Sequence, residues 1–351
     1  MTSPPSRQPW LGVEGLLFVV PIAGLLAFAG GPENAVRVFG PLVAFALTPV
    51  AAIAFWWNDW PGTRLRPAWS GWFDTFVIVA LAIAFAVVGQ TVVGHADLRG
   101  LVDPTPGPGH TPTFPALLPL GAASFTTMLQ LTLVTERWPM RRLPLIPGGF
   151  VAMVLSLFVA VGLYVLLVDV HPPPGVDVRA RDGLMSGAEF GALLTLIGVW
   201  QVWLYLAWRG WPFSSIGVAW SRRLVANVVI LGGGVLSYLG LRPLVEPNTL
   251  VVIGGAVIAA GLTVSVLFEG SLRPHISAGA DRVASVLVTA TLTAVIYGAV
   301  WAYARGRSWP GAVTSEDWQA QAVSALSLSV ILHVAVGRRW PFGVSQPAEA
   351  D

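Results

Sequence analysis

The 351-residue sequence predicts an all-α fold, a polytopic transmembrane helical bundle, on three observations. Hydrophobic residues make up 55% of the chain and charged residues 11%, against about 25% charged in an ordinary soluble domain. Apolar runs that match the roughly 20 residues needed to cross a bilayer recur along the whole length. One kind of turn punctuates these runs: FWWNDWPGTRL at 55–65, VTERWPMRRL at 134–143, AWRGWPFSSIG at 207–217 and VGRRWPFGV at 336–344. Residues 1–351 are therefore expected to form a single integral membrane domain with no soluble domain.

About ten spans follow, over 13–30, 38–57, 75–94, 115–135, 147–168, 189–208, 222–244, 249–268, 283–304 and 320–337. Each must be a helix, because an open strand edge in hydrocarbon leaves backbone groups without partners. Span 1 contains LLAFAGG, an A-x-A pattern at Ala27 to Ala29 of the kind signal peptides carry. It also carries Glu14 and pairs with span 2, so it is expected to stay as a helix. Spans 2, 4, 6 and 10 end at Trp60, Trp138, Trp211 and Trp340. Spans 3 and 4 are joined by DPTPGPGHTPTFP, and spans 5 and 6 by HPPPGVDVRARDG, both too rich in Pro and Gly for regular helix.

With the N-terminus inside, thirteen of the twenty arginines fall on the cytoplasmic side and seven outside, which is the positive-inside bias. Both termini are then cytoplasmic, in a bacterial plasma membrane. The chain has no Lys, which together with its Ala, Gly, Pro and Val content points to a GC-rich, actinobacterial type of genome.

The Trp-Pro turns lie 78, 73 and 129 residues apart. Placing Glu269 of LFEGSLRPH on Glu136 supplies a fifth turn that lacks its Trp, and the plan becomes five consecutive helical hairpins. The competing partition, two inverted five-helix halves split near residue 170, shows no residue-level match. Trp favours the membrane–water interface, Pro stops a helix, and Arg answers the negative end of the helix dipole and lipid phosphate. Trp60, Trp138, Trp211 and Trp340 therefore read first as interfacial anchors. The second reading is a cytoplasmic Trp/Arg face that holds a protein partner or lipid headgroups.

Measured back from these anchors, Gln130, Gln201 and His333 share roughly one depth in the cytoplasmic half, Thr263 takes the place of Gln130 on span 8, and Asn227 enters on span 7. Such groups either hold helices together or line a polar cavity for a neutral or zwitterionic solute. Glu14, Asp74, Glu136 and Glu269 lie near cytoplasmic ends and Glu189 near an outer end, so a midplane carboxylate relay is not expected. His95, His110, His171 and His275 fall in loops, and no metal or cofactor is expected.

Absences exclude several chemistries. Without Cys there is no disulfide or thiolate nucleophile, and without Lys no Walker A lysine. H-E-x-x-H and G-x-S-x-G are missing too, and enzymatic chemistry has no support. WWNDWPGTR resembles the first aspartate motif of membrane aromatic prenyltransferases in Asn58 and Asp59 alone, and no second acidic motif follows, so the resemblance is rejected. Arginine at span ends explains the basic balance without nucleic acid. The sequence reading is thus a small-molecule permease or exporter in contact with membrane lipids. The alternative is a non-catalytic scaffold or accessory subunit.

Overall fold

The computed structural model describes residues 8–103, 111–172, 177–269, 276–309 and 311–342. His110 and His275 lie outside these residues. Helices run over α1 (Trp10–Phe28), α2 (Pro32–Trp56), α3 (Pro67–Val93), α4 (Leu118–Val134), α5 (Leu145–Leu167), α6 (Gly187–Ala207), α7 (Ala219–Leu241), α8 (Pro247–Leu267), α9 (Ala278–Arg305) and α10 (Ser315–Val336). Nine are long and apolar enough to cross a membrane, and α4 is a shorter apolar helix. Among the described residues strand is confined to β1 (Val168–Asp169) paired in parallel with β2 (Met185–Ser186), in the loop between α5 and α6. The chain is a multi-pass, helical membrane protein.

Two helices begin five residues before the expected spans, at Ala278 and Ser315. Their first turns carry Asp281, Arg282, Glu316 and Asp317, which hydropathy assigns to loop. Capping explains the extension: Ser277 accepts from the Ala280 N–H, and Thr314 and Asp317 form a reciprocal capping box. Acidic residues in a first turn also suit the helix dipole.

The even-numbered helices form a closed ring in chain order: α2 packs on α4, α4 on α6, α6 on α8, α8 on α10, and α10 returns to α2. Each odd-numbered helix lies against the even helix that precedes it: α3 on α2, α5 on α4, α7 on α6 and α9 on α8. The same rule carried round the ring seats α1 on α10, and that contact is present. Small residues allow the close spacing. A Cβ on Gly254 would meet the Thr195 side chain of α6 at 2.6 Å, and one on Gly255 would meet Val323 of α10 at 2.6 Å. Adjacent glycines on α8 thus serve its two ring neighbours.

The even helices share one ending. Each closes in a π-helical turn, at Ala52–Trp56, Gln130–Val134, Val202–Ala207, Thr263–Leu267 and Leu332–Val336. The next N–H returns five residues: Trp57 to Ala52, Thr135 to Gln130, Trp208 to Trp203, Phe268 to Thr263 and Gly337 to Leu332. Left-handed residues follow at Asn58 and Asp59, Glu136 and Arg137, Arg209 and Gly210, Arg338 and Arg339, and at Glu269. Four turns then pass through a cis Trp–Pro bond, at Trp60, Trp138, Trp211 and Trp340. Glu269 (φ +52°) shares the backbone of Glu136 (φ +53°), so the turn without a Trp begins as the others do, as far as its described residues run.

Candidate functional site

Three of the expected polar residues meet where α4, α6 and α7 adjoin. Gln201 Nε2 donates to Gln130 Oε1 at 2.7 Å and to the Thr126 carbonyl at 3.0 Å. Gln130 Nε2 donates to Asn227 Oδ1 at 2.8 Å, and Asn227 Nδ2 donates to the Arg223 carbonyl at 2.8 Å. The π turn starts at Gln130, immediately after the α-helical part of α4, and Gln201 is the last α-helical residue before the π turn of α6. Gln201 is fully buried, and its Oε1 has no hydrogen-bond partner.

The chain of polar contacts continues toward the Trp-Pro end. Arg222 Nη2 and Arg223 Nη2 donate to Glu136 Oε2 at 3.0 and 3.1 Å, and Arg222 Nε bonds the other oxygen. These arginines hold the Glu136 carboxyl below its ordinary range, against the opposing effect of partial burial. Amide, amide, amide and ion pair thus join α4, α6 and α7 from within the bundle to its end.

Thr263 and His333 are elsewhere. Thr263 has the backbone register of Gln130, yet its hydroxyl donates to its own helix, to the Ala259 carbonyl at 2.8 Å. His333 is 2% exposed at the seam of α1 and α10, stacked on Phe18 with centroids 5.5 Å apart. Both its ring nitrogens are buried without a partner. In turn register it falls one residue after Gln130, enough to turn it by about 100° on a helix.

The turns bind one another through arginines whose sequence context points instead to the helix dipole, lipid phosphate or an outside partner. Arg137 Nη2 donates to the Phe55 carbonyl at 3.1 Å. Arg339 donates to the Val266 and Leu267 carbonyls at 2.9 and 3.0 Å and to Glu269 at 2.6 Å. Both occupy the second left-handed position and cap carbonyls at the end of the preceding ring helix. That position is Gly210 in the third turn, where Tyr205 instead donates to the Val134 carbonyl at 3.4 Å. The detectable signal was Arg one residue before Trp in two of the four motifs.

Trp138, Trp211 and Trp340 are 46%, 37% and 48% exposed, and Arg282 stacks over Trp211 at 4.3 Å. Trp60 is more enclosed and contacts Trp57 edge-on at 5.4 Å. Beside it, Asp74 is fully buried near the start of α3 and accepts the Gly62 N–H at 2.7 Å. Burial lifts the neighbouring Asp59 carboxyl to about 6, with Arg338 pulling the other way. At the opposite end, His171 Nε2 lies 3.2 Å from Asp169 and 4.0 Å from Asp182, a group able to ligate a metal ion but largely open to solvent.

No protein-family model, curated protein or solved structure matches the chain.

Proposed function

We propose that the chain is a small-molecule permease whose Gln201–Gln130–Asn227 cluster forms a polar binding layer in the cytoplasmic half. The single observation that carries this reading is the bare Gln201 Oε1. A buried acceptor without a donor costs about 1–3 kcal/mol, and a solute that brings a donor removes that cost. The amides bond to one another in this arrangement, so it is the closed one; admitting a solute exchanges those bonds for bonds to the solute. Amides without a carboxylate among them suit a neutral or zwitterionic solute.

The test is flux into proteoliposomes, followed by light scattering, for urea, glycerol and alanine. At least one should enter severalfold faster than into protein-free vesicles, and Gln201→Leu should abolish the excess. Equal rates for all three with and without protein, or an unchanged Gln201→Leu, would defeat the reading.

The exposed Trp138, Trp211 and Trp340 favour a second reading, a scaffold or accessory subunit whose Trp/Arg face holds a partner or anionic lipid. It expects no flux, and a defined complex that Trp→Ala changes at these positions dissociate.

A further inference from the structure

A cavity of about 110 Å³ opens at the end of the bundle opposite the Trp-Pro turns, between α8, α9 and α10. Its walls are Thr249 and Val252 of α8, Tyr297 and Trp301 of α9, and Glu316 and Gln319 of α10. One water needs roughly 10–15 Å³ on this measure, so a solute of several heavy atoms fits. None of the six residues is basic, and Glu316 supplies a carboxylate. Its Oε2 takes a hydrogen bond from Ser315 Oγ at 2.7 Å. Thr249, Gln319 and Tyr297 add oxygens that accept hydrogen bonds, and Tyr297 and Trp301 add aromatic faces that attract cations. Arg305, one turn further along α9, lies over the Trp301 ring at 4.9 Å, so this indole makes a cation–π contact within the chain itself.

We propose that this cavity is a binding site for a small primary ammonium compound. The Glu316 carboxylate takes the ammonium charge, Thr249 and Gln319 accept its N–H groups, and the Tyr297 and Trp301 rings cover its carbon. An anion meets Glu316 and is repelled; a neutral diol gains hydrogen bonds but no charge pairing. The site does not depend on the permease reading, since it is defined by equilibrium binding, and each can fail without the other.

Ethanolamine and its neutral isostere ethylene glycol, titrated calorimetrically into the full chain in detergent, separate the possibilities. Ethanolamine should bind at least tenfold more tightly than ethylene glycol, and Glu316→Gln should remove that preference. The α10 cap is made by Thr314 and Asp317, so Glu316→Gln leaves it in place. Trp301→Leu, on a different helix, should weaken ethanolamine severalfold and serves as the second variant. Equal binding of the two compounds, no saturable binding of either, or an unaltered preference in both variants overturns the proposal.

Discussion

Arg339 donates to the Val266 carbonyl at 2.9 Å, and Val266 stands in α8 where Phe55, which accepts from Arg137 at 3.1 Å, stands in α2. The turns are therefore joints between neighbouring even-numbered helices as well as helix stops. A π turn leaves carbonyls at the helix end without intrahelical donors. An arginine from the next turn of the ring supplies them, held in place by its own left-handed backbone.

Arg339 is 8% exposed and serves two carbonyls and Glu269. Arg339→Ala should destabilise the fold by about 1.5–3 kcal/mol, the range for hydrogen bonds to a charged donor. Arg339→Lys should recover only part, because an ammonium cannot reproduce the planar fork. Exposed Arg141→Ala is the comparison and should be near neutral. Thermal unfolding in detergent reads all three; equal melting of Arg339→Ala and Arg141→Ala would refute the joint.

Glu136 gives an acid limb to stability. Arg222 and Arg223 favour its charged form and hold the carboxyl below the ordinary value of 4.5. The contribution is complete above the unfolded value and fades as pH falls through the lower folded one. Melting temperature should therefore drop on acidification below about pH 4.5, more steeply in the native chain than in Glu136→Gln.

Asp59 works in the opposite sense. Burial raises its carboxyl from 3.8 to about 6, so ionisation destabilises the fold, and the penalty grows as pH rises between these values. Asp59→Asn should raise the melting temperature at pH 7.5 and give little at pH 3.5. The left-handed φ of +61° suits Asn, so the backbone is not the reason for any loss. A gain of equal size at both pH values would show that charge is not the cause.

The membrane class was legible in composition, and the five turns in the repeated Trp-Pro and the Glu269 alignment. Depth alone also brought Gln130 and Gln201 together, because they lie about two to three turns before the equivalent Trp138 and Trp211. Azimuth was not legible. His333 and Thr263 share that depth, yet one faces α1 and the other its own helix. Nor could one chain show that α1 seats on α10, since that contact joins helices far apart in sequence and leaves no local pattern. The caps at Ser277 and Thr314 were present in the sequence but hidden by the charges that follow them.

Two glycines on α5 make a matched pair. A Cβ on Gly149 would lie 2.0 Å from Trp57 Nε1, the atom that donates to the Ile146 carbonyl at 3.2 Å. Gly149→Ala should force that indole aside and cost about 1–3 kcal/mol, the usual range for overpacking. Gly162 has nothing within 4 Å of its Cβ position, and Gly162→Ala should be neutral or gain about 0.5–1 kcal/mol from helix propensity. Reversed signs in a denaturation experiment would show that Trp57 does not pack against α5 as described.

His333 separates structural from functional polarity. Its ring is stacked on Phe18, and its two nitrogens face apolar surroundings with no donor or acceptor in reach. His333→Phe keeps the stacking while removing both unsatisfied atoms, each worth about 1–3 kcal/mol when buried. Against this, a Cβ at Gly15 would already lie 2.9 Å from Nε2, so the slightly larger ring presses on α1. The polar gain should exceed that crowding, and the melting temperature should rise. Solute flux should be unchanged, because His333 lies at the α1–α10 seam and outside the Gln201–Gln130–Asn227 cluster. Loss of flux with a raised melting temperature would place His333 in the pathway and require the α1–α10 seam to open.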